Sequence, residues 1–196
     1  MCLLTEQKIP QIATEDITCY KVIRKNMHSL HYCCFEWKFG ETYETEMKRL
    51  DLTGGVQNGF HSYSLLEDTI REYVATTTPC IIVECTIPTG AEYYYGIEMR
   101  GAGYASNKLV MNRVVDVKEA FPDFDFENFP FKVGQKIRLD DKEGVIENIQ
   151  PCYPQKCVSV LTNIPDQSTL GCHYFVVSWD AKFKRSRYNF KITIIE

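Results

Sequence analysis

Hydrophobic positions along this chain change period several times, and each change marks an element. Residues 17–24 (ITCYKVIR) alternate β-branched and polar types and predict a first strand. Tyr32 to Tyr43 is aromatic-rich and broken by Gly40, which suits one or two short strands around a turn. Asp51 to Gly59, dense in Gly, Asn and Asp, reads as a loop that delivers the chain into Phe60 and His61. From Ser64 the period becomes helical. Ser64 with Glu67 forms a capping-box pattern, and Leu65, Leu66, Thr69, Ile70 and Tyr73 recur at helical spacing, predicting a helix over about Leu65 to Ala75. Cys80 to Ile87 (CIIVECTI) is a near-continuous β-branched run stopped by Pro88 and Gly90, so it predicts a central strand buried on both faces. Tyr93 to Ile97 and Lys108 to Val117 predict further strands, with Glu98 to Gly103 as a flexible turn between them.

The second part has a different texture. Residues 119–132 combine two prolines, five phenylalanines and four acids without periodicity and read as a linker with anchoring aromatics. Beyond them, Gly134 to Asp140, Glu143 to Ile149, Val158 to Leu161, Tyr174 to Trp179 and Ile192 to Ile195 are short runs separated by turn residues, the pattern of a small antiparallel barrel. The expected organisation is an α+β module over 1–118, a linker over 119–130 and a small all-β barrel over 131–196.

Composition narrows the classes. An apolar share of 44% supports a buried core. A net charge of -4 argues against a surface built as a whole to bind nucleic acid, because phosphate contacts rest on clustered Lys and Arg. No apolar run approaches the ~20 residues of a spanning helix, and residues 1–16 lack a basic start followed by an apolar run, so a cytoplasmic protein without membrane contact is expected. Nine cysteines at irregular spacing (Cys2, Cys19, Cys33, Cys34, Cys80, Cys85, Cys152, Cys157, Cys172) read as reduced thiols. Cys2 lacks the loop glycine of an amino-terminal nucleophile. Cys152, Cys157, Cys172 and His173 are loosely spaced for zinc, and neighbours on a strand point to opposite faces, so no metal site is expected.

Two resemblances enter on particular motifs. MCLL, DITCYKVIR, FGETYETE, GFHSYS, IPTGAEYYYG and YASNKLVMNRVV resemble an uncharacterised family of gut Bacteroidales and their phages, over roughly the first six-tenths of the chain. That implies a bacterial or phage origin and a host or phage protein as the partner. The order of CYKVIR, HSYS, a helix, ECTIPTG and a terminal strand pair is similar to the ADP-ribosyltransferase fold. There an Arg or His on the first strand and a Ser-Thr-Ser strand shape the nicotinamide pocket, and a late Glu orients the ribose. The resemblance implies NAD as ligand, with Tyr20, Lys21, His61, Ser62 and Ser64 near the pocket. Ala105-Ser106-Asn107-Lys108 stands where a Glu-x-Glu belongs, with Glu98 the nearest acid, so the transferase activity is placed in doubt. Val133 to Leu139 with Glu143 to Ile146 resembles the opening hairpin of a Src-homology-3-like or translation-factor-like barrel.

The candidate residues follow from these patterns. His61, Ser62 and Tyr20 are the catalytic candidates. His61 is read either as a general base or as a ring bonded to a backbone carbonyl that fixes the turn, and spacing identifies no catalytic partner for it. Ser64, Tyr93, Tyr95 and Ser106 are ligand-binding candidates, the tyrosines as a stacking surface for a base or nicotinamide, or as sheet packing. Lys182, Lys184, Arg185, Arg187 and Tyr188 form a basic aromatic tip suited to single-stranded nucleic acid, or a solvated hairpin facing the acidic linker. The expected function is a non-catalytic, two-module binding or accessory protein without a cofactor. An NAD-dependent ADP-ribosyl transfer enzyme and a single-stranded nucleic-acid binder are the alternatives.

Overall fold

The computed structural model describes residues 3–30, 36–50, 52–76, 78–152, 157–165, 172–178, 183–186 and 192–195, with 152, 157, 165, 172–178 and 183–186 described by backbone alone. The chain divides into two compact units, one of Met1–Tyr73 and Ile81–Asp116 and one of Val74–Cys80 and Val117–Glu196. Both are mostly β, with few helices. The α+β class expected for the first part is therefore replaced by a coarser description, a curled antiparallel sheet with little helix. Its physical reason is that stretches rich in Gly and polar residues, such as 55–57 and 101–103, form strand where a loop and a turn were expected.

The larger sheet is built from β1 (Leu3–Leu4), β2 (Gln11–Ile12), β3 (Ile17–Arg24), β4 (Thr42–Glu44), β5 (Lys48–Arg49), β6 (Gly55–Gln57), β7 (Phe60–Tyr63), β8 (Cys80–Ile87), β9 (Glu92–Glu98), β10 (Gly101–Ser106) and β11 (Lys108–Val114). Its order is β4-β11-β8-β3-β7-β10-β9-β1-β6-β5, with β2 paired to β9. β8 lies inside this order, and Val83, Cys85 and Ile87 are buried with Cys19, Ile23, Trp37, Phe60, Leu109 and Met111. Leu3, Val56, Tyr94 and Ala105 make a second cluster. Cys19, Cys80 and Cys85 are buried thiols, none of them in a disulfide.

The helix α1 (Leu66–Ala75) matches the expected span, but its buried face is not the expected one. Leu66 and Ile70 are half-buried, whereas Asp68, Thr69, Glu72 and Tyr73 are buried. Asp68 explains the rotation. Its Oδ2 accepts from the Ala102 amide at 3.2 Å and its Oδ1 from Arg71 Nη1 at 2.8 Å, so a carboxylate anchors the helix. A Cβ at Gly101 would lie 2.0 Å from the Asp68 carboxyl carbon, so only glycine admits this contact. Ser64 is not a side-chain cap: its hydroxyl donates to Ala102 O at 3.2 Å.

The second unit holds α2 (Val117–Ala120) and the strands β12 (Lys136–Leu139), β13 (Lys142–Cys152), β14 (Cys157–Pro165), β15 (Cys172–Ser178), β16 (Phe183–Ser186) and β17 (Ile192–Ile195), in the order β16-β15-β14-β13-β12-β17. This is a six-stranded antiparallel sheet, and among the described residues no ladder joins β16 to β17 to close a barrel. The segment read as a linker carries α2 and a packed aromatic group, with Phe121, Phe124 and Phe129 buried and the Phe124 and Phe129 rings 5.1 Å apart. Within this unit the Asn148 side-chain amide donates to Cys80 O at 3.1 Å. No helix among the described residues is long and apolar enough to cross a membrane.

Candidate functional site

β3 and β7 share one register pair, Tyr20 with Tyr63. Beyond it a side chain bridges the two strands: the Lys21 ammonium donates to the His61 carbonyl. Beside this parting lies a cavity of about 780 Å3, lined from β3 by Lys21 and Val22, from β7 by Phe60, His61, Ser62 and Tyr63, from β9 by Glu98 and from α1 by Glu72. Trp37 also lines it, fixed by its indole N–H donating to Ser29 Oγ at 3.0 Å and by edge contacts with Tyr43 and Phe60. A volume of this size lies in the range of small-molecule sites.

The polar centre is a His–Glu pair. His61 Nδ1 and Glu98 Oε1 are 2.6 Å apart, and the Glu98 side chain is only 1% exposed. The register accounts for the meeting. β10 lies between β7 and β9, pairing Gly103 with both Tyr63 and Gly96, so Glu98 must reach across a strand to touch His61. Gly103 makes the crossing possible: a Cβ there would stand 3.0 Å from Glu98 Cγ and 2.5 Å from Ser62 O. Gly103 does not have a positive φ, so its lack of a side chain is used for space and not for backbone freedom.

Burial pushes the Lys21 ammonium below its ordinary value, against the opposing pull of acidic neighbours that include Glu98 and Glu72. Burial likewise pushes the Tyr63 phenol well up, and the charges of Glu72 and Glu98 add to the rise. Glu98 Oε2, in the lining, is buried without a hydrogen-bond partner among the described residues, whereas Ser62, in register with Tyr104, turns its side chain to the opposite sheet face, toward Cys19. Buried oxygens without a partner are uncommon in folded proteins. Chemically, a carboxylate-oriented imidazole beside an uncommitted carboxylate oxygen can bind a hydrogen-bond donor or relay a proton.

The structure brings together some of the sequence-predicted residues and not others. His61 and Ser62 line the cavity with Lys21. The His61 ring is bonded to a carboxylate and not to the backbone carbonyl that a turn-fixing role required. Tyr20 is not among the lining residues. Tyr93 and Tyr95 pack against Tyr104, at 5.7 and 5.2 Å between ring centroids, on the sheet face opposite His61 and Glu98. Ser106 is buried, its hydroxyl donating to Lys108 O at 2.8 Å. Ser64 is engaged with Ala102. Lys182, Arg187 and Tyr188 lie outside the described residues, and Lys184 and Arg185 belong to β16, described by backbone alone. The zinc candidates Cys152, Cys157, Cys172 and His173 are likewise described only as strand backbone.

Sequence reading missed Glu98 as part of the site. The signal was the alternation Tyr94, Gly96, Glu98 on one strand, next to Gly101 and Gly103 at period two, which leaves one face of β10 bare. Comparison with family profiles, with curated proteins and with solved structures returned no match.

Proposed function

We propose that the first unit is a small-molecule-binding module whose ligand occupies the cavity beside His61 and Glu98. The observation that carries this reading is a buried carboxylate held by His61 at one oxygen and uncommitted at the other, in the wall of a cavity of about 780 Å3. A polar atom kept away from water without a partner is costly, so a ligand that completes it contributes binding energy. The reading keeps the protein as a binding or accessory protein of two units. A thermal-shift screen of chemically diverse metabolites against the full chain tests it. At least one compound is expected to raise the unfolding temperature of the wild type and to lose that effect in Trp37→Ala. Saturating compounds that act equally on both proteins would place binding elsewhere.

A second reading is ADP-ribosyl transfer from NAD, and Glu98 is the observation that favours it. The Glu-x-Glu position at Ala105 to Lys108 holds no acid, but Glu98 brings a carboxylate to His61 from the neighbouring strand. A fixed anion there suits a developing ribosyl cation. Against it, the lining offers one ammonium, Lys21, for a pyrophosphate and four carboxylates, Glu44, Glu46, Glu72 and Glu98. If NAD is consumed, Glu98→Gln should slow the reaction on the order of 10²–10³-fold, as the loss of one preorganised electrostatic group does. Unchanged turnover in that variant would remove Glu98 from the chemistry.

A further inference from the structure

The cavity's own groups specify the charge of what it holds. Resting on the reading of this cavity as a ligand site, we propose that its ligand is a small organic cation with N–H donors, an ammonium or guanidinium head seated on the free oxygen of Glu98. Glu98 Oε2 is buried and lacks a hydrogen-bond partner among the described residues, so the wall offers an unfilled acceptor on β9. When His61 donates Nδ1–H to Glu98, its other ring nitrogen is also an acceptor. Two acceptors in one wall call for a donor-rich head.

The formal charges agree. Four carboxylates line the cavity against one ammonium. Glu44 is paired with Lys108 at 2.9 Å and Glu72 with Arg100 at 3.5 Å, but these partners do not reach Glu98. The cavity's own ammonium is engaged: Lys21 donates to the His61 carbonyl and lies over the Trp37 ring, 5.9 Å from its centroid. An anionic ligand would meet like charge, and a neutral one would satisfy the hydrogen bonds but add no counter-charge to four carboxylates that share one ammonium. A bare metal ion is a poor fit, because a hard cation needs about six oxygen ligands, and no cluster of three or more His, Cys, Asp or Glu among the described residues could hold one. Trp37 supplies the apolar, π-rich wall against which an alkyl chain or a cationic head packs.

Isothermal titration calorimetry on the full chain tests the inference, with agmatine, butylamine, the neutral isostere N-butylurea and the anion adenosine monophosphate as probes. At least one of the two cations is expected to bind at least tenfold more tightly than N-butylurea, and Glu98→Gln should remove most of that preference. His61→Gln, which keeps the Glu98 carboxylate and removes the ring acceptor, should weaken the cation by a few-fold only, and it serves if Glu98→Gln fails to fold. An arginine-containing tripeptide run beside agmatine tells a chain-borne guanidinium from a free one. If the anion or the neutral probe binds, is lost in Trp37→Ala and outcompetes both cations, the cavity is a ligand site and the cation assignment is wrong. If no probe of any charge binds, the cavity reading itself falls.

Discussion

Two residues of the site act through what they lack or suppress. Gly103 is a space kept open on β10, and a methyl group there would press on both Ser62 O and Glu98 Cγ. Gly103→Ala should destabilise the first unit by about 1–3 kcal/mol, the usual cost of overpacking, and should release His61 from Glu98. Chemical denaturation measures the first effect, and the histidine ring nitrogen shifts in NMR measure the second. A well-folded variant with unchanged ring shifts would show that the crossing does not depend on the glycine. Lys21 is a buried cation whose pKa is lowered by desolvation. The unfolded chain therefore binds a proton more tightly at this position than the folded one. Stability rises as pH climbs from the lowered value toward that of a free lysine, and the penalty is present in full below that window. Urea unfolding from neutral to alkaline pH should show this rise in the wild type relative to Lys21→Met. Parallel curves would mean that the ammonium is not desolvated.

Elements with a strong period were legible, and those built on spacing were not. The helix over 66–75 and the strand over 80–87 lie where their hydrophobic recurrences place them. Ile82→Ala should accordingly cost about 2–5 kcal/mol, because the residue is 4% exposed on an interior strand. A loss under 1 kcal/mol in an equilibrium melt would contradict that packing. β10 carried no such recurrence. Its Gly-Ala-Gly start reads as flexibility in a sequence, yet the two glycines serve close approach, Gly101 to Asp68 and Gly103 to Glu98. The helix face was misjudged for a related reason: a carboxylate that docks onto backbone buries itself as an apolar residue would, and hydrophobic periodicity counts it as exposed. Half of the site, His61 and Ser62, was visible as rare polar types beside a turn. The other half depended on a strand order that no local pattern encodes.

At the scale of the molecule, the chain moves between its two units three times, since residues 74–80 belong with 117–196 and not with the sequence on either side. A cut near residue 118, where composition alone would place it, separates Cys80 from the donor Asn148. Residues 1–116 expressed alone should expose the Cys80 thiol, buried in the full chain, to a thiol reagent under native conditions. Equal protection of Cys80 in both would show that residues 1–116 bury this thiol without Asn148 and its strand.

The interposed strand also has a consequence in time. A ribosome that has released residues up to 98 has already delivered both His61 and Glu98, but the strand that must lie between them is still inside the exit tunnel. Because β7 and β9 are held through β10, the pair cannot form by early collapse around its own residues and must wait until β10 has folded back on β9 and docked its other edge on β7. Non-local pairing of this kind slows folding. Until it is complete, the newborn chain carries a buried-type carboxylate in water, where it costs nothing and recognises nothing.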